Sequence, residues 1–201
     1  MRHGKLDCDG YDPPGHEKGI PIFEELIVLV GLPGSGKSTV GRQLARRLQT
    51  RFHDSDQAIE LRIGCSIRQF FEQAGEPAFR DIESAVLQEL MHMPGPGVLA
   101  TGGGAVIRPE NRACLRQAGT VVYLRVQPED LFRRLRHDRD RPLLQVADPM
   151  GRLRDLFRQR DAFYEEVADI TVGGEGHSIP ELVGRILAQR DAARRGEGAI
   201  R

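Results

Sequence analysis

Apolar residues gather in short, nearly unbroken runs of strand length at Leu26 to Val30, Val98 to Thr101, Thr120 to Val126 and Asp169 to Val172, with a weaker candidate at Arg51 to Asp54. Between the runs the spacing stretches to that of a helix face. Val40, Leu44 and Leu48 recur every four residues, while Arg42, Gln43, Arg46 and Arg47 fall on the other side. Ile82, Val86 and Leu90 repeat the pattern, and Leu182, Ile186 and Leu187 follow the helix-start signal Ile179-Pro180. Strands that are apolar throughout must be covered on both faces, and their alternation with helices predicts an α/β fold: three layers, α/β/α, around a central parallel sheet of about five strands.

The chain has 201 residues, 39% of them hydrophobic, which suits one core and one domain. That domain is expected over residues 21–192. Residues 1–20 and 193–201 are polar and lack apolar periodicity, so both ends are expected to be disordered. Lys plus Arg and Asp plus Glu both total 29, leaving no overall field to draw the protein to nucleic acid or an anionic membrane. Cys8, Cys65 and Cys114 show no disulfide or zinc spacing, and the longest apolar run is far too short to span a bilayer. A cytoplasmic protein without nucleic-acid or membrane partners is expected, working as a monomer.

Gly31-Leu32-Pro33-Gly34-Ser35-Gly36-Lys37-Ser38 matches the Walker A pattern, and it lies between an apolar strand and an amphipathic helix, where such a loop has to lie. Its glycines turn backbone N–H groups inward around a phosphate, and the helix that follows presents its positive end to the same anion. Gly34, Ser35, Gly36, Lys37, Ser38 and Thr39 are therefore expected to bind ATP. Lys37 would neutralise the β- and γ-oxygens, and the Ser38 hydroxyl would ligate Mg²⁺.

Many phosphate-loop proteins end a second apolar strand in Asp, but here Val98 to Thr101 runs into Gly102-Gly103-Gly104. The carboxylates must come from Phe52-His53-Asp54-Ser55-Asp56, where two stand two residues apart and would point the same way in an extended segment. Asp54 would support Mg²⁺ through its water shell, and Asp56 would orient or deprotonate an attacking hydroxyl. A helix cap is an equally good account of Asp56. The glycine triplet would leave backbone amides open to a ligand, or simply form a sharp turn.

Taken in order, GLPGSGKST, FHDSD, FRDIE, ATGGGAV, RPLL and RQRDAFYEE resemble the shikimate kinase family over residues 26 to about 172. The resemblance implies a P-loop, nucleoside monophosphate kinase-like fold, and transfer of the ATP γ-phosphoryl group to the 3-hydroxyl of shikimate in aromatic amino-acid biosynthesis. By similarity Arg80 and Arg160 would grip the shikimate carboxylate. For Arg80 the competing reading is a surface pair with Glu83, and for Arg160 it is a shift of register to Arg158. Gly102, Gly103 and Gly104 would contact the shikimate hydroxyls. Phe71 and Phe79 would form an apolar wall or fill core, with Phe71 read as core.

The charged stretch at about 133–146 resembles the family's lid or, in the plainer reading, a solvated face. Arg141 would reach the transferring phosphoryl group, and Arg134 would lie near adenine. His177 stands where relatives often carry Arg or Asn. Two alternatives accompany this reading: another small-molecule kinase of the same loop class, acting on gluconate or a nucleotide, and a catalytically silent shikimate-kinase-like sensor. The segment before Leu26 is too short for a DNA-reading module, which counts against the sensor.

Overall fold

In the computed structural model, described over residues 26–135, 147–173 and 176–195, every apolar run becomes a strand. β1 (Leu26–Val30), β2 (Arg51–Asp54), β3 (Gly97–Ala100), β4 (Thr120–Arg125) and β5 (Ile170–Gly173) pair in parallel in the order β2-β3-β1-β4-β5. The weakest candidate, at Arg51, is the edge strand β2, whose partial burial explains its mixed composition. The ends of β3, β4 and β5 lie one residue from the expected positions.

Side chains alternate across the sheet and fill two cores. Leu26, Val28 and Val30 of β1 meet Leu87 and Met91 of α3 (Ile67–Met91), Leu115 of α4 (Pro109–Gln117), Leu131 of α5 (Pro128–Leu135) and Leu153 of α6 (Pro149–Val167). On the other face Ile27 and Leu29 meet Val40 and Leu44 of α1 (Lys37–Leu48) and Leu182 and Ile186 of α7 (Ile179–Arg194). This is the expected three-layer arrangement. A third, smaller cluster joins Ile59 of α2 (Ser55–Ile63) to Phe79 and Val86 of α3.

α3 is two helical segments meeting at Gly75, whose backbone at φ 79° and ψ 173° is open only to glycine, with Pro77 just beyond it. No described helix is long and apolar enough to cross a membrane. The expected leading extension, Arg141 with most of the lid stretch, and the end of the C-terminal tail lie outside the described residues.

Parallel strands bring their carboxyl ends to one rim. The phosphate loop leaves β1 there, the acidic turn leaves β2 and the glycine triplet follows β3. Register fixes how closely they meet: Ala100 pairs with Leu29 on one side and with Asp54 on the other.

Candidate active site

The phosphate loop is held tightly from below. Gly31 adopts φ 143°, and a β-carbon there would lie 2.7 Å from the carbonyl oxygen of Leu124, so only glycine lets the chain turn that close to β4. α1 begins after Gly36 with no side-chain cap, leaving its N-terminal N–H groups for an anion. Lys37 is buried, and its Nζ donates to the carbonyl oxygens of Gly31 and Leu32 at 2.9 and 2.8 Å. Its ammonium is thus held at the loop by backbone oxygens that a phosphate can replace.

Ser38 Oγ donates to Asp54 Oδ2 at 2.7 Å, which brings together the two residues expected to serve a metal. Both oxygens are hard, and they line one cleft of about 520 Å³ with Lys37, Asp56 and Gly103. Among the described residues no cluster of three or more His, Cys, Asp or Glu could hold a metal by itself. The donor set fits Mg²⁺, which takes one or two protein oxygens and completes its shell with water and phosphate.

The segment through Asp56 is not extended. β2 stops at Asp54, which caps α2 by accepting the Asp56 N–H at 3.1 Å, and Asp56 stands in the first helical turn. The cap is therefore Asp54, and Asp56 is left for the cleft. Although much of its surface meets the open cleft, the surrounding protein strips water from Asp56 and pushes its pKa up to about 6. Lys37 pulls the other way; Asp54, Glu83 and Glu60 add to the rise.

Each glycine of the triplet admits a different neighbour. A β-carbon on Gly102 would lie 2.5 Å from Asp56 Oδ1 and 3.2 Å from Glu83 Oε1; one on Gly103 would lie 2.5 Å from the Pro33 ring; one on Gly104 would strike the Arg80 guanidinium. The Gly102 amide, expected to be open to ligand, donates instead to Ser55 Oγ at 2.9 Å. The triplet is a junction where carboxylate, loop and guanidinium pack on bare backbone.

Arg80 and Arg160 line a second cleft of about 410 Å³ with Phe71, Glu76, Arg152 and Phe163. Arg80 does pair with Glu83, at 2.6 Å, but not on the surface: the side chains are 11% and 2% exposed. Burial pushes the Glu83 carboxyl up, opposed by Arg80, Arg160 and Arg108. Arg160 Nη1 donates to the Gly103 carbonyl oxygen at 3.0 Å, and Tyr164, one turn on, donates to the same oxygen at 2.6 Å. Arg158 is exposed and paired with Asp155, so of the two candidates Arg160 is the one in the cleft.

Of the two phenylalanines, it is Phe71, read as core, that lines the cleft. Phe79 is core, Phe71 is half-buried on the cleft wall, and their ring centroids are 4.4 Å apart. Arg134 is exposed near the end of α5 and is not among the residues lining the phosphate cleft. His177 is exposed, with Nε2 2.6 Å from Arg185 Nη1. Glu83, Glu76, Ser55 and Tyr164 were not singled out as site residues from the sequence. Helical spacing alone ties three of them to a named arginine, since Glu76 and Glu83 flank Arg80 at i−4 and i+3, and Tyr164 follows Arg160 at i+4.

A sequence profile described as shikimate kinase matches residues 33–190. A shikimate kinase of Paracidovorax citrulli is 57% identical over 170 residues, covering 83% of this chain and 92% of that protein. One from Cupriavidus pinatubonensis is 51% identical over 167 residues, covering 83% and 86%. The solved structure of shikimate kinase from Acinetobacter baumannii, in complex with shikimate, superposes with a TM-score of 0.80 at 43% identity, covering 86% of this chain and 96% of that one.

Proposed function

The chain belongs to the shikimate kinase family and is an ATP-dependent kinase, and on that premise we propose how its residues divide the transfer of the ATP γ-phosphoryl group to the 3-hydroxyl of shikimate. The observation that carries this reading is the meeting of two clefts at Gly103: one offers Lys37 and an uncapped helix end, the other the guanidiniums of Arg80 and Arg160, with Asp56 in the first beside the junction.

ATP phosphates take the Lys37 ammonium from the Gly31 and Leu32 carbonyls and accept N–H donors from Gly34 to Thr39. Ser38 and, through water, Asp54 would hold Mg²⁺, which when bound neutralises charge on the β- and γ-oxygens. Arg80 and Arg160 receive the shikimate carboxylate, the anion that a planar guanidinium matches best. Gly103 and Gly104 bring bare backbone to the ring hydroxyls. Asp56 accepts the proton of the 3-hydroxyl as its oxygen bonds to the γ-phosphorus and the bond to ADP breaks. Arg141, outside the described residues, is assigned to the transferring phosphoryl group, and Arg134 to the adenine side. We place this reaction in the cytoplasm, with the monomer as the working unit.

With ATP and Mg²⁺, purified protein should release ADP only when shikimate is added. Turnover with gluconate or a nucleoside and none with shikimate would overturn the reading. Arg80→Ala should raise the KM for shikimate at least tenfold, roughly the loss of a charged hydrogen bond, and leave that for ATP unchanged.

A further inference from the structure

Arg80 and Arg160 are already engaged, and by partners of different kinds. Arg160 donates to a neutral carbonyl, whereas Arg80 is held by two carboxylates. Of these, Glu83 is fixed: its side chain is 2% exposed, and it bonds Nη1. Glu76 is not. Its side chain is 59% exposed, yet one of its oxygens takes both Nε and Nη2 of Arg80, at 3.2 and 2.8 Å. That is the side-on edge of the guanidinium, where an incoming carboxylate forms its paired bonds.

We infer that Glu76 is an internal competitor for the substrate carboxylate, covering the side-on edge of Arg80 until the acceptor displaces it and thereby setting acceptor affinity. The inference rests on the functional reading above. Glu76 lies between Gly75, held at positive φ, and Pro77, and it lines the same cleft as Arg80 and Arg160. Its backbone is pinned there, so exchange needs only rotation of the side chain into water. Like charge then keeps it away once a carboxylate has arrived.

A purely structural i,i+4 pair would move stability on substitution and leave substrate affinity alone. Competition moves affinity in one direction. In Glu76→Gln the Kd and KM for shikimate should fall roughly two- to fivefold, the range a partly exposed ion pair can withhold, with kcat and the KM for ATP unchanged. Glu76→Asp keeps the charge but is one methylene too short for the contact, and should follow Glu76→Gln. Calorimetric titration of shikimate into the three proteins, with their unfolding midpoints to confirm folding, reads this directly. Unchanged or weaker binding by Glu76→Gln overturns the inference, as does a Glu76→Asp protein that stays at the wild-type value, since charge rather than contact would then be responsible. If the wild-type protein fails to bind shikimate at all, the functional reading falls and this inference with it; wild-type binding without tightening in the variants removes the inference alone.

Discussion

With its pKa pushed up to about 6 by burial and by Asp54, Glu83 and Glu60, Asp56 ionises against the preference of the folded chain. Two consequences have opposite signs. For chemistry the carboxylate must be ionised to accept a proton, so kcat/KM for shikimate should rise with pH and level off above about 6, tenfold per unit on the acid side. For stability, the folded state binds more protons than the unfolded state between the ordinary carboxylate value of 3.8 and about 6, so the contribution of Asp56 falls as pH rises through that window. Asp56→Asn should therefore lose about 10²- to 10⁴-fold in kcat while unfolding at or above the wild-type temperature at pH 7. A pH-independent kcat/KM in the wild type, or an unstable Asp56→Asn, would contradict this. The sequence supplied the two carboxylates and their spacing, but not which one caps the helix. That depends on β2 stopping at Asp54, set by its pairing with Ala100 about 46 positions along the chain. Glu83 was visible only as a rival partner for Arg80; its burial under the glycine triplet is a tertiary fact.

At the scale of elements, the strands were legible because both faces of the sheet are covered, so burial leaves an unbroken apolar signature. α3 was legible only in its second half. Ile82, Val86 and Leu90 repeat at helical spacing there, whereas the first half presents Phe70 and Phe71 side by side, serving a small satellite cluster and the cleft wall. The join at Gly75 is what turns the two halves so that Phe71 faces Phe79 and Arg80. Because its φ and ψ fall in a region essentially closed to other residues, Gly75→Ala should destabilise the protein by about 1–3 kcal/mol. It should also move the Phe71 wall relative to Arg80. The expected pattern is a lower unfolding midpoint in urea with a raised KM for shikimate and an unaltered KM for ATP, because no residue of α1 or the phosphate loop lines the cleft that Phe71 walls. An equal rise in both constants would mean that α3 supports the nucleotide side as well.

Across the whole molecule, one short stretch of backbone separates the phosphate-loop cleft from the Arg80 and Arg160 cleft. Gly103 lies against Pro33 of the phosphate loop on one side, and its carbonyl holds Arg160 and Tyr164 of α6 on the other. At Gly104 the atoms nearest to an added β-carbon all belong to Arg80. Since β1 and β3 are adjacent and rigidly paired, a methyl group added at Gly103 cannot be absorbed by sliding the strands; it must displace the loop, α6 or both. Gly103→Ala should therefore raise the KM for both ATP and shikimate, with kcat/KM falling by up to about a hundredfold as reacting groups separate. Gly104→Ala meets a flexible side chain, and its effect should be confined to shikimate. The comparison uses the same substitution at neighbouring positions of one loop, so general damage to the fold would appear in both variants. A divided result, two constants moved at Gly103 and one at Gly104, would identify Gly103 as the backbone that both clefts share, because only there does the added methyl group meet the phosphate loop.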